Sequence, residues 1–175
     1  MQSDVLYQEL AYGAEIIQTL VVGVTPEQAR VKPSPDAWSV LEVVCHLCDE
    51  EREDFRQYLD LILHRPDQPW LQIDPQGWVT ARRYNERDLA ASLDDLLQER
   101  GRSLAWLKAL PAPDWDTSVV LTFSPSEEKH RVSAGNMLAA WVAHDNQHMR
   151  QLVELRRARL LRLTEPYAVQ YAGRW

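Results

Sequence analysis

Two histidines, His144 and His148, stand four residues apart in the run GNMLAAWVAHDNQHMRQLVELRR, whose other same-face positions Met137, Trp141, Leu152 and Leu155 are apolar. At about 100° per residue the two imidazoles point within about 40° of each other, so one helix can offer both to a single ion. A lone histidine on such a face reads most simply as a core residue with a hydrogen-bond partner. Two on one inward face each need a polar partner of their own. Catalytic divalent ions generally take three protein ligands and keep a further position open. Of the other histidines, His64 falls at a predicted helix end and His130 beside a predicted hairpin. His46, two turns into the second predicted helix, is therefore the best third ligand.

A rival ligand set exists, because CHLC (Cys45, Cys48) and HDNQH together make the formula of a Cys2His2 structural zinc site. His46 points about 100° from Cys45 and about 160° from Cys48, so one helix can aim either the cysteines or His46 at a given ion. The cysteines share their stripe with Leu41 and Phe55, which favours core packing over metal ligation or redox chemistry. The face of His46 also carries Glu42, Asp49, Glu50 and Glu53. Glu42 is read as a helix cap and Glu53 as solvated, while Asp49 is the candidate to orient an imidazole or to act as a base. Asp145 points about 100° away from His144 and is expected at the surface or in an interhelix contact. Trp38 and Trp141 could wall a pocket, with core packing the expected role. Arg150 and Gln151 are assigned to helix packing and hydrogen bonding.

The elements that must position these residues are helices. Leu6, Leu10, Ile17 and Leu20 recur at helical steps between Asp4 and Val22, with Gly13 on the same stripe where a partner helix could approach. Thr25-Pro26-Glu27-Gln28 carries the signals of a short capped turn, and Ser39 with Glu42 forms a capping box that opens a second helix running to about His64. Residues 65–85, rich in proline and tryptophan, are expected to form a long ordered loop. Leu89 to Leu107 marks a third helix that stops at Pro111. SVVLTF (118–123), the polar turn SPSEEK and residues 130–133 suggest a hairpin, and the last helix starts near Ser133 and ends near Leu161. The expectation is an all-α four-helix bundle with long crossover connections and a small hairpin before the last helix, in one domain over 1–175.

The chain has 175 residues, 45% hydrophobic and 26% charged, with a formal net charge of -7, which suits one soluble globular domain and not a phosphate-binding surface. Nucleic acid is therefore not an expected partner, and no stretch reads as a signal peptide or a membrane span, so a cytoplasmic protein without a membrane partner is expected. The basic run Arg156, Arg157, Arg159 and Arg162 is read as complementing the dipole at the end of the last helix.

PDAWSVLEVVCHLCDEER resembles the segment of DinB/YfiT-like proteins in which a Trp-Ser helix start leads to a histidine followed by acidic residues, and HDNQHMRQL resembles the His-Asp-x-x-His-x-Arg-Gln segment of their last helix. The resemblance implies a four-helix bundle with a three-histidine metal site formed by His46, His144 and His148, holding a divalent ion such as zinc, nickel or iron. It further implies thiol-transferase or hydrolase chemistry on a small-molecule substrate, with a low-molecular-weight thiol as co-substrate, and a homodimer. The competing class is a non-catalytic, stress-related protein that binds a metal or small molecule.

Overall fold

The computed structural model describes residues 2–70, 72–121 and 130–173. Helix α1 spans Ser3–Val21, and a short α2, Pro26–Ala29, follows with the Thr25/Gln28 capping box in place. The second long helix begins where Ser39 and Glu42 cap each other, runs as α3 over Val40–Glu50, widens into a π-helical turn at Glu51–Phe55 and continues as α4 over Arg56–His64. A continuous α-helix was expected here. Segment 65–88 is not a plain loop either: it holds α5, Pro75–Ala81, and a 3-10 turn, Tyr84–Glu86. Asp74 caps α5 by accepting from the Gly77 amide, and Pro75 occupies the first turn, where no amide hydrogen is needed.

Helix α6 covers Leu89–Ala109 and α7 covers Ala134–Thr164, the latter opened by a reciprocal Ser133/Asn136 cap. Between them β1, Ser118–Leu121, pairs antiparallel with β2, His130–Ser133, with Ser118 opposite Ser133 and Leu121 opposite His130. The expected extension of the first strand to Phe123 and the SPSEEK turn lie outside the described residues.

Side-chain pairs set the helix directions. Gly13 abuts Asp145, and Leu20 shares a cavity wall with Leu155, so α1 and α7 run parallel. Cys45 meets Ser92, and Arg56 meets Glu99 and Ser103, so α3–α4 and α6 are parallel too. His46 faces His148 and Phe55 faces Trp141, which makes the two pairs antiparallel to each other. The long connection 65–88 follows from this topology, since the chain must return the length of α3–α4 before α6 can start beside Cys45.

The core falls into two apolar clusters. One gathers Ile17, Leu41, Val44, Cys45, Leu96 and Leu152; the other gathers Leu10, Phe55, Leu59, Leu107, Leu138 and Trp141. Between them lies a buried polar layer. Arg100 donates to both carboxylate oxygens of Glu51 at 2.9 Å, to Asp145 at 2.7 and 2.9 Å, and to the Leu10 carbonyl. Trp141 Nε1 donates to Glu51 Oε2 at 3.0 Å. Asp145 is thus the interhelix contact anticipated as one alternative, and it is buried. Gly13 makes room for it: a Cβ there would stand 2.7 Å from Asp145 Oδ2. No helix among the described residues is long and apolar enough to cross a membrane.

Candidate metal centre

His46 from α3 and His144 and His148 from α7 meet, each offering one ligand atom, with those atoms all within 4.8 Å of one another. His144 Nε2 lies 3.0 Å from His148 Nε2 and 2.7 Å from Glu50 Oε2, while Glu50 Oε1 lies 3.4 Å from His46 Nε2. Three imidazole nitrogens and one carboxylate therefore converge on one point. A tetrahedral ion with metal–nitrogen bonds of about 2.0–2.1 Å places neighbouring ligand atoms about 3.3 Å apart, so the cluster, whose histidine ligand atoms lie within 4.8 Å of one another, would draw together to take such an ion.

Two of the rings are also braced from behind. His148 Nδ1 donates to Gln151 Oε1 at 2.8 Å, which leaves its Nε2 lone pair facing the centre. The Trp38 ring meets His46 edge-on at 4.6 Å between centroids and lies parallel to His148 at 6.0 Å. His46 Nδ1 is buried with the backbone of Pro75 beside the ring, which raises the ring's proton affinity without meeting full hydrogen-bond geometry. A metal-bound imidazole usually turns its second nitrogen to such a backbone group. Three imidazole nitrogens beside one carboxylate are a donor set that suits a divalent metal.

Electrostatics point the same way. Burial, reinforced by the neighbouring His144, holds His148 at about 4, and burial also brings His46 to about 4 against the pull of Glu50. Both are neutral ligands at physiological pH. Burial pushes Glu50 up, but the hydrogen bond from His144 and the electrostatic pull of the three rings outweigh it and leave Glu50 below the ordinary glutamate range. One turn further along, burial and the charge of Glu50 lift Asp54 to about 7.

The expectation that Asp49 orients an imidazole is corrected. Asp49 is buried but turned to the crossover, where it accepts from Arg82 at 2.6 Å, Tyr84 at 2.7 Å and Arg52 at 2.9 Å. Glu50 takes the place beside the histidines. Asp49 and Glu53, which also pairs with Arg82, instead anchor the segment bearing Pro75 and Gln76 over the site. Glu53 is thus an anchor and not merely solvated, whereas Glu42 has its expected capping role and also meets Lys32. Trp38 walls the site, while Trp141 is core. Gln151, assigned to packing and hydrogen bonding, is the partner of His148. Cys45 bonds Ser92 and sits with Cys48 in the apolar core; burial raises both thiols, Cys48 to about 12. Neither joins the histidine cluster.

The histidines form the floor of an open pocket of about 550 Å³, rimmed by Asp74, Pro75, Gln76 and Gln147. A second cavity of about 630 Å³ shares Trp38, Gln76 and His148 with it and extends along α7.

A bundle whose facing helices bring three histidines to one pocket is the architecture of a metal-site helical bundle. The model of the DinB superfamily matches residues 9–152, and this chain belongs to that superfamily. Among solved structures it is similar to YfiT from Bacillus subtilis, with a TM-score of 0.75 and 24% identity over 89% of this chain and 86% of that one. YfiT is described as having an unusual four-helix bundle topology. No curated protein matches this chain.

Proposed function

We propose that the protein is a metal-dependent enzyme in which His46, His144 and His148 hold one zinc, nickel or iron ion and a thiol or water is activated for transfer to, or hydrolysis of, a small substrate. The observation that carries this reading is the openness of the centre: the three imidazoles face a pocket large enough for a small molecule. Structural zinc sites are closed. The description of YfiT as a probable metal-dependent hydrolase supports the same class. A divalent ion bound there would acidify a thiol or water beside it and make a nucleophile available at neutral pH. Gln151 fixes the tautomer of His148, Trp38 holds two of the rings, and Glu50 can accept the released proton on its carboxylate. Asp74, Gln76 and Gln147 give the pocket a polar rim for orienting the substrate.

Glu50 supports a second reading. Its oxygen is 2.7 Å from His144 Nε2, near enough to serve as a fourth ligand and close the centre as a structural one. Metal analysis by mass spectrometry, followed by assays of thiol transfer and of small-ester or amide hydrolysis, separates the two. About one ion per chain is expected, with sharply lower occupancy when any of His46, His144 or His148 becomes Ala. Under the enzyme reading Glu50→Gln keeps the ion and lowers turnover. Loss of the ion in that variant, with no turnover by the native protein, would leave the structural reading standing. Unchanged metal content in all three histidine variants would remove the site altogether.

A further inference from the structure

We propose that the cavity between the C-terminal ends of α1 and α7 is a second binding site, separate from the histidine centre, for a small anionic amphiphile: a carboxylate on an aliphatic tail. The cavity measures about 200 Å³ and has an aliphatic floor that includes Leu20, Val24, Val40, Leu152 and Leu155, with Arg156, Arg159 and Arg162 at its edge. No acidic and no aromatic side chain lines it. The absence of rings favours a flexible tail over a planar ligand, and the absence of carboxylates stands out in a chain with 26 acidic and 19 basic residues.

The arginines are the second observation. The other described arginines are engaged: Arg52, Arg56, Arg65, Arg82, Arg83, Arg100, Arg102 and Arg150 in ion pairs, and Arg30, Arg87, Arg131 and Arg157 in other contacts. Among the described residues, Arg156, Arg159 and Arg162 make no hydrogen bond, ion pair or ring contact, and all three line this one cavity. The helix dipole explains Arg162 in the last turn of α7. It does not reach Arg156, about two turns before the end at Thr164, because the effect falls off within the last turn. Arg156 and Arg159 lie on neighbouring positions of one helix face, so their guanidinium forks can take one carboxylate together. Arg156 and Arg159 are eight and eleven residues beyond His148 along α7, roughly 12 and 16 Å, so the carboxylate lies clear of the histidines, while the cavity shares Pro33 and Leu155 with the one that reaches His148.

Calorimetric titration of the full chain with decanoate, decanol and decyltrimethylammonium tests the site. Decanoate is expected to bind saturably at one per chain, and decanol and the cationic amphiphile at least about tenfold more weakly, since only the anion engages the arginines. The double variant Arg156→Gln/Arg159→Gln should weaken decanoate by about tenfold or more and leave decanol unchanged. His148→Ala should lower metal content but leave decanoate affinity as it is, which distinguishes failure of this site from failure of the metal centre. Equal affinity for decanoate and decanol, no saturable binding below millimolar concentration, or unchanged decanoate affinity in the double variant would overturn the proposal. So would loss of decanoate binding in His148→Ala, or sedimentation with phosphatidylglycerol vesicles that the double variant abolishes, because the arginines would then serve a membrane surface.

Discussion

Arg100→Met is expected to destabilise the protein by at least about 4 kcal/mol, because the five N–H donors of this buried guanidinium are shared among Glu51, Asp145 and the Leu10 carbonyl. Methionine matches much of the aliphatic length but leaves two buried carboxylates facing one another without a counter-charge. Breaking a buried ion pair costs roughly 3–5 kcal/mol, and an orphaned carbonyl adds roughly 1–3 kcal/mol, with water entry offsetting part of the sum. In a domain of this size about 4 kcal/mol corresponds to a fall in Tm of roughly 8–16 °C. If uncompensated charge dominates, neutralising both partners in the same background, as Arg100→Met/Glu51→Gln/Asp145→Asn, should recover at least about half of the loss. Urea unfolding at neutral pH, with the slope checked for constancy, measures both variants. A single variant costing under about 1 kcal/mol, or a triple variant no more stable than the single one, would refute the argument that the layer is held by charge compensation.

Two glycines in helices should respond in opposite directions. Gly13→Ala puts a methyl group 2.7 Å from a carboxylate oxygen that Arg100 holds in place, and should cost about 1–3 kcal/mol, whereas Gly101→Ala, with nothing within 4 Å of its Cβ, should gain up to about 1 kcal/mol from helix propensity; equal effects in thermal unfolding would refute this reading. Cys45→Ser/Cys48→Ser should keep full metal occupancy while losing about 1–3 kcal/mol for each buried hydroxyl left unsatisfied, and metal loss would return the cysteines to the ligand set. Metal-free protein should lose stability as pH falls from about 6.5 towards 4, because His46 and His148 are held at about 4 and the unfolded chain takes up protons first. Below about 4 the two histidines contribute no further loss, so a flat stability profile between pH 6.5 and 4 in urea titrations of the Asp54→Asn variant, which removes the opposing gain from the raised carboxyl of Asp54, would contradict their burial as neutral rings.

Much of the fold was legible because it is written in local signals. The capping boxes at Thr25/Gln28 and Ser39/Glu42 and the helical spacing of Leu10 and Ile17 act within a few residues. The spacing of His144 and His148 is equally local, and His46 lies on a helix long enough to face them. The choice between Asp49 and Glu50 was not local. At about 60° and 40° from His46 on the same helix, either carboxylate could have served the site. Arg82 and Tyr84 decide the matter by claiming Asp49, and they arrive on a crossover some 30 residues later. The cap at Asp74 with Pro75 was local and readable, and α5 went unrecognised because the prolines around it argued for loop. The π-helical turn carries no proline or glycine, so nothing in its composition announces it.

That turn and the polar layer belong to one device. Glu50, the last residue of α3, reaches the histidines, while Glu51, the first residue of the widened turn, reaches Arg100 and Trp141. Asp145 and His144 divide the same two tasks on α7, one bonding Arg100 and the other facing the metal centre. Each ligand-bearing helix thus carries, next to a residue of the site, a carboxylate clamped by a single guanidinium from α6. Sliding α3 against α7 by one turn would strand two buried charges as well as separate the histidines, at a cost of several kcal/mol per unpaired ion. The register that unites His46 with His144 and His148 is therefore enforced by Arg100, which touches none of them, and the apolar clusters on either side supply cohesion that alone would tolerate a slip.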